Sequence, residues 1–348
     1  DHGELVEAAT LRYARLFGSR SEKLARLAER RPVFQRFRTE EPHLVFEPAR
    51  ERSGFPPDWI ALDEWMPYHQ EGIQTNRDQA IIAPDVDTLR ERMKRFAEGV
   101  DDPALERART PSGHYDPARA REAIASLIAR GELEQYIFPI AYRPFDDRVF
   151  LAHPSVCHRP RKRLLESGEH SEFILVSVRK DRGIAAYRHF AITRFIPDNS
   201  YLSPRSSCRS RAFPIKDPVG NANFSATCVE AVESIVGERV SAEELACYLV
   251  SYLASERYQD RFADSLRHDY PKIPLPRGRE NFQQRVSIGE RIKEGFFAPQ
   301  PLDMEWTLGH HPLKAKSAVL ELAHRECDAY FESEWGSLLE DQPPESAT

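Results

Sequence analysis

The segment Gly72-Ile73-Gln74-Thr75-Asn76-Arg77-Asp78 places one glycine and five polar side chains in a short stretch. Gln, Asn and Arg have planar ends whose donors and acceptors match base edges or phosphate oxygens in pairs. The stretch therefore predicts a loop that contacts nucleic acid through Gln74, Thr75, Asn76 and Arg77. An ordinary polar turn, in which Asp78 pairs with Arg77 or caps a backbone amide, has the same composition and is the alternative.

A basic run lies further along the chain, in His158-Arg159-Pro160-Arg161-Lys162-Arg163. A helix is expected to begin after Pro160, and guanidinium groups beside a helix N-terminus form a strong phosphate site. No acidic residue within the run neutralises it. The pattern predicts phosphate contacts from Arg159, Arg161, Lys162 and Arg163, and a solvated basic turn is the alternative.

More arginines surround the β-rich runs of the middle of the chain. A guanidinium group can bind guanine through its two acceptors, so the loops around these runs are candidates for base reading. A mobile surface loop is the alternative for any single residue. The candidates are Arg188, Arg194, Arg205, Arg209 and Arg211. Arg143 is also a candidate for DNA contact, although a buried pair with Asp146 that fixes the first strand is the favoured role.

The charge is distributed unevenly. Residues 141–216 contain 15 Lys and Arg against 7 Asp and Glu, a balance of +8, which leaves −14 for the rest of a chain whose net charge is −6. A basic region of this size could neutralise several phosphates. The acidic remainder would face solvent or a partner, and a solvated charged surface is the alternative.

Length and composition exclude several classes of protein. With 348 residues and 41% hydrophobic content, the chain can form two or three soluble, compact units. It has no apolar stretch of the ~20 residues that a membrane span requires and no signal peptide, so a cytoplasmic protein is expected. Its five cysteines form no C-x-x-C pair and are predicted to be free thiols. No metal site is predicted.

The periodicity predicts an α+β fold. Residues 10–17 are strand-like, and Ser19 and Glu22 form a capping box for a helix through Arg30. Residues 31–67 contain six prolines and are interpreted as an irregular connector. Helices are predicted at 85–99, at 116–131 and after the capping box Ser241-x-x-Glu244, with β-rich runs at 148–152, 173–179 and 190–196 between them.

The order of these motifs resembles one family, the C-terminal specificity region of type ISP-like restriction-modification adenine-N6 DNA methyltransferases. The resemblance rests on Tyr13 to Leu27, on Leu62-Asp63-Glu64-Trp65-Met66-Pro67 with the 72–78 loop, on Tyr142-Arg143-Pro144-Phe145-Asp146-Asp147-Arg148 with Arg159-Pro160-Arg161, and on Tyr258 to Pro276. Two positions depart from the family pattern. Asn76 stands where glycine is common, and Lys272 replaces the usual arginine.

The periodicity, the acidic, proline-containing end of the chain and the resemblance together predict four segments. They are an exit strand and helix from a methyltransferase core (1–35), a connector with helices (36–140), a DNA target-recognition domain with a central mixed β-sheet, long loops and C-terminal helices (141–336), and a disordered tail (337–348). The resemblance implies sequence-specific recognition of double-stranded DNA for a restriction-modification or phage-defence system. The methyltransferase core, in the same or a partner chain, would bind S-adenosylmethionine, and this chain would bind no cofactor.

No catalytic motif accompanies this resemblance. The sequence lacks a glycine-rich turn for S-adenosylmethionine and the Asn/Asp-Pro-Pro-aromatic tetrad that holds a flipped base. The chain is therefore expected to be a fragment or a free-standing specificity subunit. A partner-docking subunit that binds an acidic protein surface is the alternative, and a metal-dependent nuclease is a weaker one, because no D-(x)n-E-x-K pattern occurs.

Overall fold

The computed structural model describes residues 11–13, 20–29, 35–37, 54–100, 102–106, 115–180, 190–203, 208–297 and 318–340. The chain forms two compact units, residues 1–54 and 55–348. In the first unit, the antiparallel strands β1 (Leu11–Tyr13) and β2 (Gln35–Phe37) flank helix α1 (Arg20–Ala28). The predicted strand and helix are present over these shorter ranges, and β2 lies in the stretch that was interpreted as an irregular connector.

The second unit alternates short strands with helices, which confirms the α+β class. Its strands are β3 (Ile60–Ala61), β4 (Gln70–Glu71), β5 (Ile82–Ala83), β6 (Ile137–Arg143), β7 (Asp146–Leu151), β8 (Ile174–Val178), β9 (Phe190–Thr193), β10 (Ser210–Pro214) and β11 (Lys272–Ile273). Its helices are α2 (Leu62–Trp65), α3 (Asp78–Ile81), α4 (Val86–Ala97), α5 (Pro103–Glu106), α6 (Pro117–Arg130), α7 (Lys162–His170), α8 (Ala226–Val236), α9 (Ala242–Leu253), α10 (Glu256–Arg261), α11 (Ala263–Leu266), α12 (Arg279–Phe297) and α13 (Ala318–Glu340).

Local capping explains where the predicted helices begin and end. Asp85 and Asp116 accept hydrogen bonds from backbone amides in the first turns of α4 and α6. Helix α6 ends at Gly131, whose φ of 69° is the left-handed conformation that glycine adopts without strain. Ser241 and Glu244 form the predicted capping box of α9. These helix predictions are confirmed.

The β-rich runs are divided between two larger sheets. One has the order β5-β7-β6 and the other β4-β10-β8-β9, and the strand pairs within them are antiparallel. A third, two-stranded sheet pairs β11 with β3. Two isolated parallel bridges also occur, Ile73 with Asp198 and Ala141 with Pro197.

The four-stranded sheet lies between two hydrophobic cores. On one side, Ile174 and Ala212 join a core formed with α4, α6 and the three-stranded sheet. On the other side, Leu175 and Phe213 join a core formed with the C-terminal helices. Strand β8 is buried along its whole length, and four of its five residues are apolar, Ser177 being the exception. The five cysteines are buried and none of them forms a disulfide, as predicted.

The C-terminal helices α9, α12 and α13 pack on one another. A β-carbon on Gly289 of α12 would overlap the backbone of Cys247 in α9, so glycine is required at this crossing. The Arg285 side chain is fully buried and donates to Glu334 of α13 and, over 3.2 Å, to the Ser251 carbonyl of α9. One buried ion pair therefore joins the three helices.

The domain limits from the sequence stay predictions. The limit between residues 140 and 141 falls within β6. Of the predicted tail, residues 337–340 belong to α13 and the rest lies outside the described residues. Among the described helices, none combines the length and the apolar character needed to cross a membrane.

Replacing Glu334 with alanine should lower the free energy of unfolding by about 3 to 5 kcal/mol, because Arg285 would keep a buried charge without its counter-ion. Urea unfolding followed by circular dichroism measures this. Glu332→Ala is the control, since Glu332 pairs with Arg257 over 2.9 Å at an exposed site and should cost less than about 1 kcal/mol. Equal losses in both variants would contradict the role given to the buried pair.

Candidate nucleic-acid interface

Residues 72–75 form backbone hydrogen bonds with several distant parts of the chain. Hydrogen bonds of 2.8 to 3.3 Å link this stretch to three segments that are distant in sequence, through backbone groups of His158, Arg159, Pro197, Asn199 and Ser210. These hydrogen bonds hold the start of the predicted loop in place against all three segments. The basic run at 158–163 and strand β10 are brought next to it by the same bonds.

Gly72 lies where two backbone segments approach closely. A β-carbon at this position would lie 2.8 Å from the carbonyl carbon of Asp198 and even closer to the Pro197 oxygen. Any larger residue would push the two segments apart, since real β-carbons do not approach backbone atoms so closely. The glycine of the motif is thus explained by packing.

Asn76 forms the bend of the loop. Its φ is 56°, in the left-handed region that glycine and asparagine adopt most readily. The side-chain amide of Gln74 donates to Asn76 Oδ1 over 3.0 Å across this bend. Asparagine therefore satisfies the same backbone requirement as the glycine that is common in the family.

Arg77 is buried beneath the loop. Its guanidinium carbon lies 3.8 Å from the centre of the Tyr115 ring, and Nη1 donates to the Thr75 carbonyl over 3.1 Å. Burial lowers the pKa of this guanidinium. Because only 5% of Arg77 is exposed, it supports the loop from below.

The other charged groups beneath the loop form an acidic pair around Arg143. Its guanidinium donates to Asp198 over 2.9 Å and lies 3.9 Å from Asp78, which also accepts from the Thr75 hydroxyl. The predicted pairing of Arg143 with Asp146 is wrong, because Asp146 binds Arg148 over 2.8 Å instead. Arg143 and Asp146, at the two ends of the turn between β6 and β7, therefore pair with different residues.

Asp198 is the most strongly perturbed carboxyl of this group. Burial raises its pKa to about 6, although Arg143 acts in the opposite direction, and the nearby Asp78 raises the pKa further. Its Oδ1 also accepts from the Ser200 amide over 2.9 Å. The carboxyl therefore titrates at a pH where ordinary aspartates are already charged.

A polar cavity of about 520 Å³ lies at the loop. Its walls carry side-chain amides, hydroxyls and one solvent-accessible guanidinium group, all able to donate or accept hydrogen bonds. The lining residues include Gln74, Thr75, Asn76, Arg77, Asp78, Asn199, Ser200 and Arg209. Three of the four loop residues predicted to contact nucleic acid thus share this cavity with residues from two other segments, and Arg77 lines it from its buried position.

Next to the cavity, one carboxylate lies among four guanidinium groups. Glu71 is 3.1 Å from Arg161, 3.4 Å from Arg209, 3.6 Å from Arg211 and 3.9 Å from Arg159. We call these five residues the Glu71 cluster, and its formal charge is +3. Burial lowers the pKa of Arg161, and the three neighbouring arginines lower it as well. Arg209 belongs to both the cluster and the cavity.

The remaining predicted residues lie apart from the cluster contacts. Lys162 is 87% exposed and pairs with Glu166 over 3.7 Å, and Arg163 lies 5.9 Å from the Tyr68 ring. Arg194 contacts the Phe297 ring at 4.7 Å, at the end of α12. Arg188 and Arg205 lie outside the described residues. Roles in DNA binding stay predictions for all of them.

Sequence reasoning missed Glu71, Asp198, Asn199 and Ser200. Glu71 directly precedes the glycine of the loop motif, which was a signal that could have been used. Asp198 to Ser200 carry no local signal, because only the bridge between Ile73 and Asp198 brings them to the loop. Within the described ranges, no group of three His, Cys, Asp or Glu side chains is placed to hold a metal ion.

The family model of the Type ISP C-terminal specificity domain matches residues 64–294. These residues cover most of the chain and include the loop, the cavity and the Glu71 cluster. The chain belongs to this family. A search of curated proteins gave no match.

Two solved structures show similarity to the chain. The chain is similar to the protein in the cryo-EM structure of a DrdV–DNA complex, with 17% identity and a TM-score of 0.51, over 79% of this chain and 29% of that one. It also matches the ATP-dependent Type ISP restriction-modification enzyme LlaBIII bound to DNA, with 16% identity and a TM-score of 0.49, over 78% of this chain and 19% of that one. The chain thus spans less than a third of the length of either protein.

The raised pKa of Asp198 predicts a pH dependence of stability. Between its unfolded value near 4 and its folded value near 6, the folded protein binds the proton more tightly. The free energy of unfolding should therefore fall as the pH rises through this window, by about 3 kcal/mol from this group. Chemical denaturation at pH 4 and pH 7 measures the difference.

Asp198→Asn should remove this contribution, since asparagine keeps an acceptor for the Ser200 amide but cannot titrate. Asp58→Asn, at an exposed site, is the control and should keep the parent's pH dependence. The assignment is wrong if the Asp198 variant loses as much stability between pH 4 and pH 7 as the parent protein does.

Proposed function

We propose that this chain recognises the target site of a restriction-modification enzyme on double-stranded DNA. The observation that carries the proposal is the Glu71 cluster, with its net positive charge, beside a polar cavity formed by the 72–78 loop. Membership of a specificity-domain family supports it. The DrdV structure, whose fold the chain shares, is a complex with DNA and supports it further.

The cluster supplies the phosphate contacts. Arg159 and Arg209 are 48% and 38% exposed, so their guanidinium groups reach solvent beyond Glu71. Lys162 adds an exposed charge at the start of α7. Such groups position a protein on the duplex without reading its sequence. Arg161, Arg163 and Arg211 would contribute to the same positive field.

The cavity supplies groups suited to base edges. The side-chain amides of Gln74, Asn76 and Asn199 each carry donors and acceptors, and an amide pairs with adenine through two hydrogen bonds. Arg209 adds a guanidinium that matches guanine. Base reading by Arg188, Arg194 and Arg205 is part of the proposal as well, on the loops that surround the sheet.

We further propose that the enzyme served by this chain methylates adenine at N6, within a restriction-modification or phage-defence system. The support for this finer function is the resemblance of the motifs. A methyltransferase core in the same or a partner chain would bind S-adenosylmethionine, which supplies the methyl group. The residues of this chain would bind the duplex and select the target sequence.

Changing Arg159 and Arg209 together to alanine should weaken binding to a 30-base-pair duplex about tenfold or more. The slope of log K against log[salt] should become shallower by about 0.9 for each phosphate contact that is lost. Fluorescence anisotropy at several NaCl concentrations measures both quantities. These two side chains are the exposed members of the cluster, so the fold should tolerate the change.

The matched control is Arg239→Ala with Arg279→Ala, which removes the same charge from exposed ion pairs with Glu233 and Glu238. It should leave the affinity and the salt slope close to those of the parent. Equal effects of the two double variants would reject the phosphate assignment. Equal binding of duplex DNA and polyglutamate would indicate an acidic protein partner instead.

A further inference from the structure

The Glu71 cluster has more donors than its one carboxylate can accept. Arg161 donates to Glu71 over 3.1 Å and Arg209 over 3.4 Å, whereas Arg211 and Arg159 lie 3.6 and 3.9 Å away. The Arg161 Nε is buried and has no hydrogen-bond acceptor among the described residues. An anion with oxygens at the carboxylate's position would meet four converging cations.

A phosphodiester group fits this arrangement. It carries one negative charge on two unesterified oxygens, as the Glu71 carboxylate does, and guanidinium groups bind phosphate and carboxylate in the same paired geometry. The four arginines come from two segments, 159–161 and 209–211. Arg209 lines the polar cavity, and Arg159 forms a backbone bridge with Gln74 of the loop. A DNA backbone held here would pass beside the proposed base-reading groups.

Glu71 is placed so that its side chain can leave. Among the described strands, β4 is at the edge of its sheet and pairs with β10 alone. The Glu71 side chain is 23% exposed, so solvent already reaches it. The next residue, Gly72, is closely packed and fixes the backbone at this position. The Glu71 side chain has three rotatable bonds and can still change its conformation. A change of rotamer frees the arginines without movement of the sheet.

We propose that the four arginines form a binding site for one DNA phosphate and that the Glu71 carboxylate occupies this site when DNA is absent. The proposal rests on the proposed function and adds a residue that opposes binding. The Glu71 carboxylate competes with any DNA phosphate for the four arginines. A duplex that makes few other contacts with the protein is therefore bound weakly. Discrimination against non-target DNA is thereby increased.

Glu71→Gln tests this directly, because glutamine keeps the size and the acceptor oxygen and removes the charge. Its affinity for a 30-base-pair duplex of arbitrary sequence should rise about tenfold at 0.15 M NaCl. The salt slope should become steeper by about 0.9, because in the parent the release of the Glu71 carboxylate offsets the counterions that one phosphate contact releases. Glu238→Gln is the matched control, since it makes the same change of net charge at the exposed pair with Arg279. It should change the affinity less than twofold.

A second measurement uses inorganic phosphate as the probe and does not depend on DNA. Phosphate at 10 mM, compared with NaCl at equal ionic strength, should raise the melting temperature of Glu71→Gln more than that of the parent or of Glu238→Gln. Glu71→Asp keeps the charge but shortens the side chain, and its DNA affinity should fall between those of the parent and Glu71→Gln. This variant also provides a test if Glu71→Gln does not fold.

The outcomes separate this inference from the proposed function. If Glu71→Gln binds DNA no better than the parent, while the Arg159 and Arg209 double variant still loses affinity, the resident-carboxylate inference is overturned and the proposed function stands. If neither set of variants alters DNA binding, both are rejected. Weaker binding by Glu71→Gln would overturn the inference and show that Glu71 holds the arginines in place.

Discussion

The structure of this domain depends on one close contact between backbone segments, at Gly72. Residues 72–75 bond to three distant segments there, and no side chain fits between Gly72 and the backbone at Pro197 and Asp198. The segment that Gly72 contacts also bonds to Ala141 of β6, through the Ile196 carbonyl and the Asp198 amide. The contact at Gly72 fixes the start of the following loop. The cavity, the acidic pair at Arg143 and the Glu71 cluster all lie within a few residues of it. A change in this contact would therefore alter each of them together.

The electrostatics follow from that geometry. Acidic groups lie beneath the loop, where Asp78 and Asp198 face Arg143, and burial raises the pKa of Asp198 to about 6. Positive groups lie beside the loop, where four arginines share one carboxylate. A chain with a net charge of −6 thus presents a concentrated positive surface. The position of the charges, and not their sum, suits the domain to bind a polyanion.

Features set by neighbouring residues were predictable from the sequence. The ends of α4, α6 and α9 follow from Asp85, Asp116, Gly131 and the box at Ser241, because capping acts within one turn. Features set by distant residues were not. Arg143 pairs with Asp198 instead of Asp146, and the arginines of two separate segments meet at Glu71, since strand order decides these contacts. The sequence located the basic region, and the fold determined which of its arginines converge.

Hydrogen–deuterium exchange with and without a duplex tests the central claim most directly, that the segments joined at Gly72 form one DNA-binding surface. The account predicts slower exchange, on adding DNA, in peptides covering residues 70–77, 158–163 and 208–212 together. Peptides of α9, α12 and α13 should exchange at unchanged rates. Protection confined to the C-terminal helices, or to only one of the three segments, would contradict it.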